Sequence, residues 1–407
     1  MKQKKIFILF FLVMFLIGTD TFLISPLLPT LTKTYQISTS ISGWMVSAYA
    51  LGYALFALLA GPISDGLNRK KVMVFGLLAF SVSTFICGLA PSFEVMILCR
   101  LLAGISASFV TPQVWASIPL LVEPKEIVKA MGYASAGLSI SQLVGIPIGS
   151  YLASFTWHIP FFTLGGCSLL LMIIIFFTLP DINTQSTSTA KVSITKTYGT
   201  LLQTPRAVKY FFAYFVFQTG TFATFTFLGS WFAKDFHLLV NGVGTAMIAV
   251  GLGNTIGSLF GSHITKKLGE PKSLLISLII LVPSYFVLPF ASTITFAEVI
   301  LFLIYLVNGC LFPVLMTIMQ SISATARGTV SAIANAVMYG GTTLGGILGG
   351  LLFTNFSGFY GVSFFTGVVY ALALLIYATS GIFKDRYAHD TIQADQINSC
   401  LLYTSPS

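Results

Sequence analysis

Two ionisable residues, Asp20 and Arg100, stand inside long apolar runs. A charge at the centre of a bilayer costs roughly 2.5–3.5 kcal/mol on insertion scales, so such residues are functional candidates by default. Asp20 lies 14 residues into the first apolar run, about 21 Å at about 1.5 Å per helical residue. Arg100 lies about 7 residues in from the start of the fourth, about 10 Å deep. In a hydrocarbon core of about 30 Å, with alternating run directions, both come to a similar depth. An acid and a base at one depth are better read as partners, directly or across a wet cavity, than as two separate penalties. Burial and a facing guanidinium act in opposite senses on a carboxyl's hold on a proton. A group so balanced can load and release a proton as its access alternates. The competing reading is a static structural ion pair. Glu94 and Glu298 sit at run ends, where snorkelling to water is the default.

Small residues form a second pattern. Gly137, Ser141, Gly145 and Gly149, with Pro147, fall in the fifth run; Gly253, Gly257 and Gly261 in the eighth; Gly341, Gly345 and Gly349 in the eleventh. Spacing by four puts them on one helix face and lets a neighbouring helix approach closely. We read these faces, and Gly145, Pro147, Gly149, Gly341, Gly345 and Gly349 in particular, as the seam between two lobes; generic tight packing is the alternative. Catalytic constellations do not appear. The four His are far apart, and there is no H-E-x-x-H, P-loop or G-x-S-x-G. The five Cys show no metal or disulfide spacing. The sequence therefore points to no enzyme, no cofactor and no metal, and leaves an ion gradient as the energy source.

The elements that position these residues follow from composition. The chain has 407 residues, of which 56% are apolar and 8% charged, with a mean hydropathy of +0.90. Soluble chains carry roughly a quarter charged residues, so the solvent here is lipid. Apolar runs fall at about 6–30, 42–63, 72–91, 93–118, 128–154, 158–179, 207–233, 240–262, 272–291, 294–319, 328–354 and 359–383. They do not alternate as barrel strands do, and a helix satisfies its own backbone in hydrocarbon. The fold class is an all-α membrane protein with twelve transmembrane helices. The first run, preceded by Lys2, Lys4 and Lys5, resembles a signal peptide, but it is too long, contains Asp20 and lacks a small-residue cleavage site.

The net charge of +9 does not indicate nucleic acid, because the basic residues sit in short loops between apolar runs. With the N-terminus inside, the inner segments hold 18 of the 21 Lys and Arg, the outer loops only Lys33 and Lys234. That bias places both termini in the cytoplasm of a multi-pass protein of the cell membrane.

The halves repeat. At an offset of 200 residues Gly61 falls on Gly261, Gly145 on Gly345 and Gly149 on Gly349. A six-span unit is thus duplicated in parallel, as in two-lobed transporters. The expected organisation is an N-terminal six-helix lobe at 1–180, a polar cytoplasmic linker at 181–206 with a short surface helix near Lys191–Leu202, a C-terminal lobe at 207–385 and a polar tail at 386–407. The last residues, Cys400–Ser407, read as a foreign extension.

Between the second and third runs lies Gly61-Pro-Ile-Ser-Asp65-Gly-Leu-Asn-Arg69-Lys70-Lys71. Gly and Pro there predict a helix end, and Asp65 stands at the membrane boundary within reach of Arg69. This run resembles the loop signature of the major facilitator superfamily. In that family the loop latches two lobes in the outward-facing state, with its Asp facing the start of the eleventh span, here Arg327-Gly328. The resemblance makes Gly61, Asp65 and Arg69 gating residues. The second-lobe copy has Thr265 where Asp65 would fall, so one such latch is intact. Arg100-Leu-Leu-Ala-Gly104 is similar to the family's fourth-span motif, associated with proton coupling. Asp20, followed by Pro26 and Pro29, resembles the first-span signature of the twelve-span drug:proton antiporter branch. Gly145-Ile-Pro147-Ile-Gly149 is similar to that branch's fifth-span motif, with Ile146 inserted as in sugar-efflux relatives. The family further implies a cavity lined by spans 1, 4, 7 and 10, whose candidates are Thr21, Gln113, Trp115, Gln218, Thr221, Asn308, Phe312 and Met316. Aromatic, Met and amide side chains suit an amphipathic ligand. The expected function is secondary, proton-coupled efflux of a small amphipathic molecule by alternating access, with protons and lipid as the other partners. A sugar or metabolite exporter of the same superfamily, or an uncoupled facilitator, remains open.

Overall fold

The computed structural model describes residues 3–64, 67–182, 199, 201, 203–323 and 327–383. The linker helix expected near Lys191–Leu202, the tail and Asp65 lie outside the described residues, apart from Gly199 and Leu201. Twelve helices are long and apolar enough to cross a membrane: α1 (Gln3–Thr34), α2 (Thr39–Ala60), α3 (Arg69–Cys87), α4 (Phe93–Leu121), α5 (Pro124–Ala153), α6 (Ile159–Thr178), α7 (Pro205–Asp235), α8 (Val240–Gly261), α9 (Glu270–Phe290), α10 (Ile294–Gln320), α11 (Thr329–Asn355) and α12 (Tyr360–Thr379). Each coincides with one expected apolar run. Bulky apolar residues such as Phe75, Phe177, Leu259 and Leu375 stay exposed on the bundle's outside, as a hydrocarbon solvent permits.

Helix starts follow local chemistry. Asn68 accepts from the Lys71 amide at the head of α3, and Ser92 and Thr293 accept from Val95 and Phe296 at the heads of α4 and α10, capping otherwise orphaned N–H groups. The second helix runs through Gly61 and Pro62 to Ser64, beyond the end expected at the Gly-Pro pair. A proline is compatible with the first turn of a helix, but Pro62 sits near the last, where a proline offers no N–H to the carbonyl four residues back and its ring crowds that carbonyl. In α5 the helix widens into a π turn over Ser141–Gly145. Pro147 follows directly, and its missing N–H leaves the Leu143 carbonyl without the usual partner.

The helices form two bundles with matching internal contacts. In the first, α1 packs on α5 and α2 on α4; in the second, α7 packs on α11 and α8 on α10. Between bundles, α2 meets α11, α5 meets α8 and α1 meets α7. The duplication reaches side chains. A Cβ built on Gly145 would meet the hydroxyl of Thr19, and one on Gly345 the carbonyl of Thr219. Both partners are also 200 residues apart.

The glycine faces correct one expectation. Gly145 and Gly149 face Thr19 and Leu23 of α1, inside their own lobe. Gly341, Gly345 and Gly349 face Phe215, Thr219 and Phe227 of α7, again inside one lobe, and Gly253, Gly257 and Gly261 face α10. Of the six positions expected at the seam, Pro147 has a neighbour across it, Gly244 of α8, while the nearest neighbours of the five glycines lie in their own lobes. The seam is built by other residues: Gly346 and Gly350, one step round from Gly345 and Gly349, against Gly43 and Ser47 and against Ser40, with Gly251 against Leu143 and Gly229 against Ser25. A spacing of four names a face but not the helix it meets.

Candidate functional site

Asp20 of α1 and Arg100 of α4 meet in the core of the first lobe. Arg100 Nη1 donates to Asp20 Oδ2 at 2.7 Å, with both side chains 0% exposed. Arg100 Nη2 donates to the Asp20 backbone carbonyl at 3.3 Å, and Nε to the Met45 carbonyl of α2 at 3.2 Å. The guanidinium carbon lies 4.6 Å from the centre of the Tyr49 ring. One side chain thus ties three helices. Gly104, one turn along from Arg100, makes this possible: a Cβ there would strike the Tyr49 carbonyl, so only glycine lets α2 come close enough to lay Tyr49 on Arg100. The predicted pairing of acid and base is what the structure contains.

The two carboxylate oxygens of Asp20 differ. Oδ2 is held by Arg100, while Oδ1 is buried without a hydrogen-bond partner. A buried acceptor left unpaired costs free energy, and Oδ1 is the atom at which a proton can add without first breaking the ion pair. Around it, Thr21 donates to the Tyr49 hydroxyl at 3.2 Å. Tyr53 stacks on Tyr339 of α11 with ring centroids 3.7 Å apart, and Tyr49 stands 6.5 Å from the same ring.

The lobes touch at a ladder of polar contacts. Ser25 donates to the Phe225 carbonyl at 2.6 Å, Ser47 to the Thr343 carbonyl at 2.8 Å, and Asn254 Nδ2 to Gln142 Oε1 at 2.6 Å. Gln142 lies in the π turn of α5. These partners were not singled out from sequence. A proline and an amide within one apolar run, Pro147 and Gln142, were the available signals. The contacts run from the charge-poor end of the bundle, at Ser40–Gly350 and Ser150–Gly244, to its middle at Tyr53–Tyr339.

The remaining expected residues divide. Gln113 accepts from Arg69 Nη1 at 3.2 Å, which ties it to the head of α3. Gln218 is buried and donates to the Tyr214 hydroxyl at 2.9 Å, beneath Gly341; it is a packing residue of the second lobe. Thr21, Trp115, Asn308 and Met316 are half-buried, and Phe312 is 44% exposed. Thr265 donates to the Gly261 carbonyl of its own helix. Gly61 continues the second helix. Among the described residues no group of three or more His, Cys, Asp or Glu could hold a metal.

Two six-helix bundles joined along a polar ladder, with a buried acid and base in one of them, define a two-lobed membrane carrier. The sequence profile of the Major Facilitator Superfamily matches residues 10–231 and again 210–395, and the chain belongs to that family. It is 52% identical over 371 residues to an MFS-type transporter of Bacillus subtilis (strain 168), YceJ, covering 91% of this chain and 95% of that one. Multidrug resistance protein 2 of the same organism is 29% identical over 363 residues, covering 86% and 90%. Among solved structures, a D-xylose–proton symporter matches with a TM-score of 0.78 at 15% identity, covering 93% of this chain and 98% of that one. As a family transporter the chain is not an enzyme.

Proposed function

We propose that the protein is a proton-coupled exporter of small amphipathic molecules, working by alternating access in the cell membrane with both termini in the cytoplasm. The observation that carries this reading is the Asp20 carboxylate, paired through Oδ2 and open at the buried Oδ1. A proton on Asp20 removes the charge that Arg100 balances. Arg100 also holds the Met45 carbonyl and lies on Tyr49, so releasing it loosens α2. That helix makes much of the seam through Ser47 and Tyr53. Protonation is thereby linked to the contact that closes one end of the carrier. The charge-poor end, where the ladder lies, is outside on the basis of the Lys and Arg distribution, and a closed outer half leaves the cavity to the cytoplasm, where an exporter loads.

The roles of the other residues follow. Arg69, held to Gln113, and Gly61 and Asp65 belong to the gate of the basic side. Thr21, Asn308 and Phe312 line the cavity. Relatives called multidrug resistance proteins support export of foreign compounds. One net charge moved per cycle across 100 mV is worth about 2.3 kcal/mol, which sustains roughly a 50-fold gradient before any pH term.

The test is efflux from cells and from proteoliposomes, screened against compound panels, with and without a protonophore, for the native chain and Asp20→Asn. Coupled export predicts collapse of the gradient with protonophore and in Asp20→Asn. Unchanged efflux in a well-folded Asp20→Asn would leave a facilitator and end the coupling role.

A further inference from the structure

The centre of the second lobe holds a second constellation, and it is uncharged. Thr221 of α7, Tyr285 of α9, Tyr305 and Asn308 of α10 and Tyr370 of α12 converge there. The hydroxyls of Thr221 and Tyr370 lie 2.7 Å apart, and the Tyr370 hydroxyl reaches Asn308 Oδ1 at a long 3.5 Å. The Tyr285 and Tyr370 rings meet edge to face at 5.1 Å. The Tyr285 hydroxyl faces Tyr370 and Asn308 without closing a hydrogen bond. Three donors are left buried and unpartnered: the hydroxyls of Tyr285 and Tyr305 and the Asn308 amide nitrogen. Tyr285 is 0% and Tyr305 3% exposed. Unpaired buried donors are costly and uncommon in native structures, and three in one place need an acceptor.

The duplication makes the contrast sharp. At the repeat offset of 200, Asp20 corresponds to Gly220 and Arg100 to Ile300. A Cβ on Gly220 would come to 2.5 Å from Val369 and 3.2 Å from Thr366 and the Tyr370 ring, all of α12, so that helix fills the room an acid would need. Thr21 and Thr221 correspond as well, and each meets a tyrosine hydroxyl, Tyr49 and Tyr370. The first lobe uses this place for a charge pair, the second for neutral donors. The middle thirds of α7, α9, α10 and α12 contain no charged residue.

The cluster is not fully enclosed. Thr221 and Asn308 are half-buried. Phe312, one turn from Asn308 on the same helix face, is the exposed member of that face, turned away from the exposed Val299 and Leu303 side. The Tyr305 ring lies 6.3 Å from Phe225, which stands 5.3 Å from Phe22 of the first lobe, so an aromatic wall runs from the donors towards α1.

We propose that Tyr285, Tyr305 and Asn308 form the recognition end of the cavity for an uncharged aromatic ligand bearing a hydrogen-bond acceptor, such as a ketone, amide or sulfonyl oxygen. The three donors take the oxygen, and Phe312, Phe225 and Phe22 flank the ring system. A lone organic cation is disfavoured, because the cluster offers no anion and the Asp20 carboxylate is engaged by Arg100. This rests on the transport reading only in taking the ligand to be the exported compound.

The probes are benzophenone and diphenylmethane, identical but for the carbonyl, with tetraphenylphosphonium as the cation. Saturable binding of each radiolabelled probe is measured on the full chain in nanodiscs, with empty nanodiscs subtracted. The expected result is benzophenone bound at least about 5-fold tighter than diphenylmethane. Tyr305→Phe, Tyr285→Phe and Asn308→Leu each weaken benzophenone about 5- to 10-fold and leave diphenylmethane within about twofold. Infrared spectroscopy of 13C-carbonyl benzophenone reads the same contact without any variant, through a carbonyl band lowered relative to its position in hydrocarbon. Variants that change neither probe (donors met by water), variants that weaken both alike, an unshifted carbonyl band, preference for the cation, or no saturable benzophenone binding each overturn the proposal. The probe pattern surviving in an Asp20→Asn protein that still exports normally would refute proton coupling and leave this site standing.

Discussion

Tyr53 of α2 stacks on Tyr339 of α11, and Tyr339 leans in turn towards Tyr49, whose own ring lies against the Arg100 guanidinium. An unbroken run of aromatic contacts therefore leads from the buried ion pair in one lobe to a helix of the other. Any displacement of Arg100 is felt at the seam, because Tyr49 and Tyr53 are one helical turn apart on the same face of α2. The pair is the innermost rung of the contacts that hold the charge-poor halves of the lobes together.

Removing that rung is expected to loosen the closed end. An offset or stacked aromatic pair is worth about 0.5–1.5 kcal/mol beyond its area, so Tyr339→Ala should shift the balance between closed and open forms about 3- to 10-fold, while Tyr339→Phe should leave it near native. Spin labels at Thr34 and Leu239, which are exposed near that end of the two lobes, would report the change as a longer-distance population. Identical distance distributions in Tyr339→Ala and the native chain would remove the clamp role.

The ion pair predicts an asymmetric stability pattern. Arg100→Ala leaves the Asp20 charge buried and unpaired, with an expected loss of about 3–5 kcal/mol. The double variant Asp20→Asn/Arg100→Gln should recover a large part of it, since two neutral amides can still hydrogen-bond. Denaturant unfolding in micelles, arranged as a double-mutant cycle, measures the coupling; additive losses would mean the pair is not an energetic unit.

Neighbouring glycines should behave differently. Gly345→Ala meets the Thr219 carbonyl within its own lobe, a backbone atom that cannot step aside, so a lowered melting temperature is expected. Gly346→Ala meets Ser47 and Gly43 across the seam. There the lobes themselves can separate, so the expected effect is on transport and on the label distances, with a near-native melting temperature. Equal thermal losses would place both residues in the same kind of contact.

Gln142 and Asn254 should be coupled across the lobes. Their 2.6 Å hydrogen bond joins the π turn of α5 to α8. Gln142→Leu leaves the Asn254 amide facing apolar surface, at a cost of about 1–3 kcal/mol to the closed form. The pair Gln142→Leu/Asn254→Leu is expected to cost less than Gln142→Leu by itself. Efflux rates and label distances in the three proteins check this, and a double variant worse than the sum of the single ones would contradict it.

Much of this molecule was legible in one dimension. Hydrocarbon demands that each crossing segment satisfy its own backbone, so twelve apolar runs became twelve helices with little room for another outcome. Depth was legible too, because a helix advances a fixed distance per residue and Asp20 and Arg100 were placed at one level before any packing was known. Their 2.7 Å contact followed from the expense of leaving either charge alone. The offset of 200 residues carried the duplication down to Gly145 on Thr19 and Gly345 on Thr219.

Direction around each helix was not legible. Gly345 and Gly346 are adjacent in the chain, yet about 100° of rotation sends one into its own lobe and the other across the seam. Spacing alone cannot say which neighbour a face will meet, and five of the six positions expected at the seam pack within lobes. Gln113 and Gln218 were candidates for the cavity that the family resemblance implies, and Arg69 and Tyr214 are the partners they find. The cluster of Tyr285, Tyr305 and Asn308 comes from two helices and gains its meaning from a third and fourth through Thr221 and Tyr370. Lipid as solvent determined the number, length and charge of the spans from sequence alone. The rotation of each span, and hence every contact between side chains of different helices, was decided by packing, where close approach depends on the shapes of both partners at once.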